Sequence, residues 1–100
     1  MIQKIQQIQP TQVGNKTADQ IVVNLITSNM TETQCEMFCY LVDTTQTTNY
    51  VSKNNTNETL PYALLKSNKH ILTGNDLDLI KQDENNALNI AANILNATLI

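Results

Sequence analysis

Four carboxylates lie close together near the end of the chain: Asp76, Asp78, Asp83 and Glu84. Such a cluster could hold calcium or supply the acid and base of glycoside hydrolysis. Neither pattern is complete. In an EF-hand reading Ile80 takes the third ligand position, and no glycine follows it. Gly74-Asn75-Asp76-Leu77-Asp78-Leu79 matches one copy of a calcium-binding glycine-rich nonapeptide, but those repeats work only when stacked. A sugar site would want an aromatic platform, and the chain has no Trp. Helix capping and surface charge account for all four acids without a ligand. His70 is the only histidine, and with Cys35 or Cys39 it could form a nucleophile pair. No third residue is indicated to orient it, so a surface or half-buried role is preferred. No catalytic, cofactor-binding or metal-binding residue is assigned, and an enzyme is not expected.

Asparagine is the other chemically distinctive residue. The chain holds 14 Asn, 9 Gln and 13 Thr. Asn-x-Thr triplets begin at Asn15, Asn29, Asn54, Asn57 and Asn96. They would be glycan acceptors in a secreted protein, but this composition generates them by chance and no secretion signal accompanies them. Residues 85 to 100 carry no charged side chain, yet have the clearest helical pattern in the chain. Ala87, Leu88, Ile90, Ala91, Ile94, Leu95 and Thr98 fall on one broad face at 100° per residue, while Asn85, Asn86, Asn89, Asn93 and Asn96 fall on the other. Asparagine is a poor helix former, so this helix depends on packing. Its polar face suits a neutral, hydrogen-bonding contact with another protein. Asn89, Asn93 and Asn96 are the residues expected to make it.

The charge balance narrows the partners. Arginine is absent, the six lysines are scattered, and the net charge is −3. There is no guanidinium fork for phosphate and no basic stripe, which disfavours nucleic acid. No apolar stretch is long enough to span a membrane, and the N-terminus does not resemble a signal peptide. Cys35 and Cys39, four residues apart on a strand, would have Cα atoms about 13 Å apart, too far for a mutual disulfide. They read as reduced core residues of a protein made in a reducing compartment.

The elements that must position these residues follow from hydrophobic period and turn signals. Residues 1–13 carry Ile2, Ile5 and Ile8, a spacing of three that fits neither strand nor helix cleanly. The preferred reading is an extended arm that adds to a neighbour's sheet edge through those three isoleucines. Its removal would then leave a folded domain unable to assemble. Gly14-Asn15 marks a turn, residues 20–27 a strand, and residues 33–42 a second strand with a helix as rival. Residues 43–48 form a polar turn, Tyr50 to Ser52 a short strand and Asn54 to Thr59 a polar loop. Strands follow at 60–65 and 70–72, with Ser67-Asn68-Lys69 as the turn between them. Asp76 to Lys81 is a short helical or extended piece. A final helix spans 83–97, with Asp83 and Glu84 at its start. The expected fold is α+β, mainly antiparallel sheet or sandwich: an N-terminal arm, then one domain over 14–100.

The tail half resembles a pattern found in small virion proteins of tailed bacteriophages. The resemblance rests on Leu65-x-x-Asn68-x-x-Ile71-Leu72-Thr73-Gly74-x-Asp76-Leu77, then Asp83, then Ala87-x-x-Ile90-Ala91-x-x-Ile94-Leu95. In those chains a β domain precedes a Leu-Thr-Gly-x-Asp turn, an aromatic segment, an Asp-rich cap and a final helix ending in a short apolar strand. Here Leu77, Leu79 and Ile80 stand where that pattern has Tyr or Trp. The resemblance implies a structural subunit of the tail, neck or capsid surface. It would be assembled in the host cytoplasm, oligomeric, and partnered by other virion proteins and by copies of itself. A small cytoplasmic binding module or phage accessory factor acting on a host protein is the alternative. The loop from Asn54 to Thr59 would then be its contact.

Overall fold

A computed structural model describes all 100 residues. The fold is α+β, as expected: a four-stranded antiparallel sheet with two C-terminal helices. Strand β1 spans Ile2–Val13, β2 Lys16–Ile26, β3 Cys35–Asp43 and β6 Ala63–Leu72, in the spatial order β1-β2-β3-β6. A separate hairpin, β4 Thr48–Val51 and β5 Asn57–Leu60, is inserted between β3 and β6. Helix α1, Gly74–Gln82, and helix α2, Asn86–Leu95, close the chain.

Residues 2–13 are extended, but they are not a free arm. They pair along β2, from Ile2 opposite Leu25 to Val13 opposite Lys16, with an irregularity between Gln7 and Thr11. The spacing of three explains why the segment is ambiguous in sequence. On a strand it sends Ile2 and Ile8 to one side of the sheet and Ile5 to the other. Ile8 is buried, Ile2 packs against the core, and Ile5 is half exposed. The first strand is therefore part of the core rather than a dispensable appendage. Gly14, with φ of 64°, occupies the first central position of the two-residue turn into β2, where a hairpin of this kind needs a positive φ.

The segment Ser67-Asn68-Lys69 is not a turn either. It lies within one continuous β6, paired with Tyr40, Cys39 and Phe38 of β3. Its polarity reflects an edge position: β6 is the outermost strand of the sheet, and Ser67, Asn68 and Lys69 are all exposed. Of the Asn54–Thr59 loop, residues 57–59 belong to β5, and the bend is made by Ser52 to Thr56, with Asn55 at φ 59°. Residues 20–26 of β2 and all of β3 except Asp43 fall within the strands that the apolar patterning predicts; β2 begins earlier, at Lys16, and β3 later, at Cys35.

Gly74, at φ 56°, turns the chain from β6 into α1. Leu77 and Ile80 of α1 join the core. The final helix is shorter than expected, ending at Leu95. Asp83 precedes it rather than opening its first turn, and its carboxylate accepts the Asn85 N–H at 2.9 Å. Asn96 adopts the left-handed conformation, and the Ala97 N–H reaches the Ala92 carbonyl at 2.9 Å, a Schellman-type ending. The tail then returns to the sheet. Leu99 bridges to Ile8, Gln9 N–H donates to the Thr98 carbonyl at 2.8 Å, and Ile100 N–H donates to the Gln7 carbonyl at 3.1 Å. The last residues thus cover part of the outer edge of β1.

Candidate assembly surface

The core lies between the sheet and the helices. Ile21, Val23 and Leu25 of β2 alternate toward the helices, opposite Leu41, Cys39 and Met37 of β3. Ala87, Leu88, Ala91 and Leu95 of α2 complete the layer. Both thiols are free and buried here. Burial pushes the Cys39 thiol up to about 11, and burial, with a smaller push from Glu36, raises that of Cys35. Neither is a ready thiolate nucleophile. His70 is half-buried and lies opposite Met37 in the register. No group of three His, Cys, Asp or Glu side chains is placed to share a metal ion. No helix is long and apolar enough to cross a membrane.

The opposite face of the sheet has no layer on it. Side chains from the four strands stand in rows set by the register. Ile5, Val22, Tyr40 and Ser67 form one row; Gln3, Asn24, Phe38 and Lys69 form the next. Ile26, Glu36 and Ile71 continue beyond the second row, while Gln7, Gln20, Val42 and Leu64 flank the first. Exposure is 50% at Ile5, 45% at Leu64 and 39% at Ile71, which is high for large apolar side chains. Val22 and Val42 are buried, yet they lie outside the helix-covered cluster. Their neighbours on the open face enclose them.

The open face is also ordered by polar contacts. Gln3 Nε2 donates to Asn24 Oδ1 at 3.0 Å, and the Lys69 ammonium sits 5.8 Å from the Phe38 ring centroid. Burial raises the Tyr40 hydroxyl pKa, with the nearby Tyr62 adding to it and a hydrogen bond with Asn24 opposing. Beyond one end of this face, Asp19 accepts from Thr44, through its backbone N–H at 2.9 Å and through its hydroxyl. This fixes the β3–β4 turn to the start of β2.

The six residues expected at an interface are divided among different surfaces. Ile8 is buried and Ile2 is half-buried under the helices, so neither is available to a partner. Ile5 alone of the three faces outward, on the open sheet face. Asn89 and Asn93 are exposed on the outer side of α2, while Asn96 is exposed but forms the left-handed helix end. Asn86 is turned to an internal task, its Nδ2 donating to the Leu79 carbonyl at 2.8 Å between the two helices. The residues that sequence reasoning missed are Val22, Phe38, Tyr40 and Ile71. The signal that could find Phe38 and Tyr40 is alternation: Cys35, Met37, Cys39 and Leu41 fall on one face of a strand, and Glu36, Phe38, Tyr40 and Val42 on the other, so both faces are partly apolar.

The remaining relief is shallow. A hollow of about 400 Å³ lies along the β4–β5 hairpin, lined by polar residues with Tyr50 and Val51. Glu58 accepts a hydrogen bond from the Tyr50 hydroxyl at 2.7 Å, which is the main reason the tyrosine pKa is raised. A scan of protein-family models and comparisons with curated proteins and solved structures find no match to this chain.

Proposed function

We propose that this chain is a non-enzymatic structural subunit that works through protein–protein assembly, in the tail, neck or capsid surface of a tailed-phage particle. The observation that carries the assembly reading is the uncovered sheet face, where Ile5, Leu64 and Ile71 remain accessible beside two aromatic rings. Apolar surface gathered on one side of a small domain favours burial against another protein. The uncharged outer side of α2 offers a second, hydrogen-bonding contact through Asn89 and Asn93. The phage setting is supported by the Leu72-Thr73-Gly74-x-Asp76 turn and the final helix, the elements that resemble small virion proteins. Peptide mass spectrometry of purified particles from the source tests this reading. Peptides of this chain at a fixed copy number are expected. Their consistent absence from intact particles would reject it.

A second reading has its own observation. The β4–β5 hairpin pairs mainly with itself and leaves Tyr50 and Val51 accessible, at 41% and 63% exposure. A cytoplasmic binding module acting on a host protein would present such a hairpin. It would predict a chain missing from particles whose effect on the host is lost with Tyr50→Ala while the fold is kept.

A further inference from the structure

We infer that residues 97–100 occupy, from within the chain, a strand-accepting edge of β1 that an extended aliphatic segment of another protein takes over by exchange. The inference rests on the assembly reading above and gives the chemistry of its partner.

Strand β1 is incompletely paired at one place. Its register with β2 jumps from Gln7 opposite Gln20 to Thr11 opposite Ala18, so Ile8, Gln9 and Pro10 share a single facing residue, Asp19. Residues 98–100 supply across this break what β2 does not. Leu99 bridges to Ile8, the Thr98 carbonyl accepts from the Gln9 N–H at 2.8 Å, and the Ile100 N–H donates to the Gln7 carbonyl at 3.1 Å. Ile8 is buried, and Leu99 packs against the same core. The seated segment therefore displays what this edge binds: a strand antiparallel to β1 with an aliphatic side chain beside Ile8.

The edge is longer than the segment on it. Backbone groups point to alternate sides along a strand. Because Gln7 points outward, Ile5 and Gln3 do too, while Ile2, Lys4 and Gln6 turn toward β2. No residue of these 100 meets the outer N–H and C=O of Ile5 or Gln3. An incoming strand that runs from Gln9 to Gln3 makes those bonds as well, which favours it over the shorter segment in place. That segment is lightly held. Thr98 and Ile100 are exposed, Ala97 and Leu99 are only partly buried, and none of the 17 buried residues of the core cluster belongs to it. It can leave while sheet and helices stay packed, swinging at Asn96, which is already left-handed at the end of α2.

The two edges of the sheet are guarded differently. The outer edge of β6 carries Lys66 and Lys69, and lysines so placed oppose strand addition. The only charge on β1 is Lys4, whose ammonium is held 3.2 Å from Glu84 on the helix side. Ile5 stays half exposed there, ready for a cross-strand aliphatic neighbour. An unguarded edge with an apolar residue beside it is the setting for strand addition.

The test titrates the isotope-labelled full chain with the amidated peptide Ala-Thr-Leu-Ile-Thr-Val-Thr-Val. Its first half repeats residues 97–100, and its second half continues the alternation past Ile5 to Gln3. Saturable binding is expected, with shifts at residues 3–9 and 97–100 and new exchange protection at the Ile5 and Gln3 amides. N-methylation of the sixth peptide residue, which donates to the Ile5 carbonyl, should weaken binding about tenfold. Leu99→Ala loosens the seated segment and should tighten peptide binding about tenfold, because the two compete for one edge. Absence of binding up to near-millimolar peptide overturns the inference. So do shifts centred on Phe38 and Tyr40 or on β6, or an affinity indifferent to Leu99→Ala. Particle membership is read separately. A chain that takes the peptide but is absent from particles sinks the virion reading alone, and a chain in particles that ignores the peptide sinks the exchange alone.

Discussion

The two faces of this sheet are built from the same strands and have opposite fates. On one, Ile21, Val23 and Leu25 meet Met37, Cys39 and Leu41 under two helices, and all are buried. On the other, Val22, Phe38 and Tyr40 are interleaved with Gln3, Gln20 and Asn24 outside the helix-covered cluster; Val22 is enclosed by its neighbours, while the two rings stay partly exposed. The covered face is aliphatic and sulfur-bearing at its centre; the open face mixes apolar and amide side chains. An amide-rich apolar face stays soluble when alone and can still be buried against a matching surface. The difference separates what holds this domain together from what it offers to others.

Strand β1 allows that comparison within one segment, and it gives the largest expected stability effect. Ile8 is 1% exposed beneath the helices, and Ile5 is 50% exposed on the open side. Ile8→Ala should cost about 3 kcal/mol, in the range for truncating a fully buried aliphatic side chain. Ile5→Ala should cost under about 1 kcal/mol in the monomer, since its side chain is half in water already. Urea unfolding of both variants at low protein concentration measures the contrast. Equal losses would mean that the open face contributes to the fold as much as the covered one does.

The same contrast explains which parts of the structure could be read from sequence. Apolar runs that cross the middle of the covered layer, in β2, β3 and α2, announce themselves by period. The segment of β6 from Lys66 to Lys69 does not, because it lies on the outermost strand with all four side chains exposed, and polar residues satisfy such an edge. β1 is obscured for a different reason. Its isoleucines divide between the faces, so a strand that contributes Ile2 and Ile8 to the core imitates an irregular arm. The candidate surface was half legible. The spacing of the isoleucines points to Ile5 and the helical pattern to Asn89 and Asn93, but Phe38 and Tyr40 show only as the second side of an alternating strand. Which side would be left uncovered depends on where α1 and α2 dock, and that is set by tertiary packing.

An intermediate effect tests how dry the covered face is. Cys39 and Tyr40 are adjacent but point to opposite sides of β3. With its pKa pushed up to about 11 from 9.0, the Cys39 thiol is held neutral in the fold. Below about pH 9 both folded and unfolded chains keep the proton, and the full stability is present. As pH rises toward 11 the unfolded chain ionises first, so stability falls, on the order of 1 kcal/mol by about pH 10. Cys39→Ala should be less stable at neutral pH, through a small cavity, but should lose less on going from about pH 8 to pH 10. Matching pH slopes in the two proteins would mean that water reaches the thiol and the covered face is not sealed.

The smallest expected effect concerns the rim of that face, where the sole ion pair lies. Lys4 projects from the helix side of β1, and its ammonium is 3.2 Å from Glu84 in the connection between α1 and α2. The two side chains are 24% and 45% exposed, so water and salt screen the pair. Glu84→Gln should therefore cost less than about 1 kcal/mol and become neutral at high salt. The helices would then stay docked because Leu77, Ile80, Leu88 and Leu95 are buried, with the charges adding only a minor clasp. A loss well above that, persisting in salt, would mean that charge helps hold the helix layer on the sheet. The covered face would then owe its closure to its rim as well as to its apolar centre.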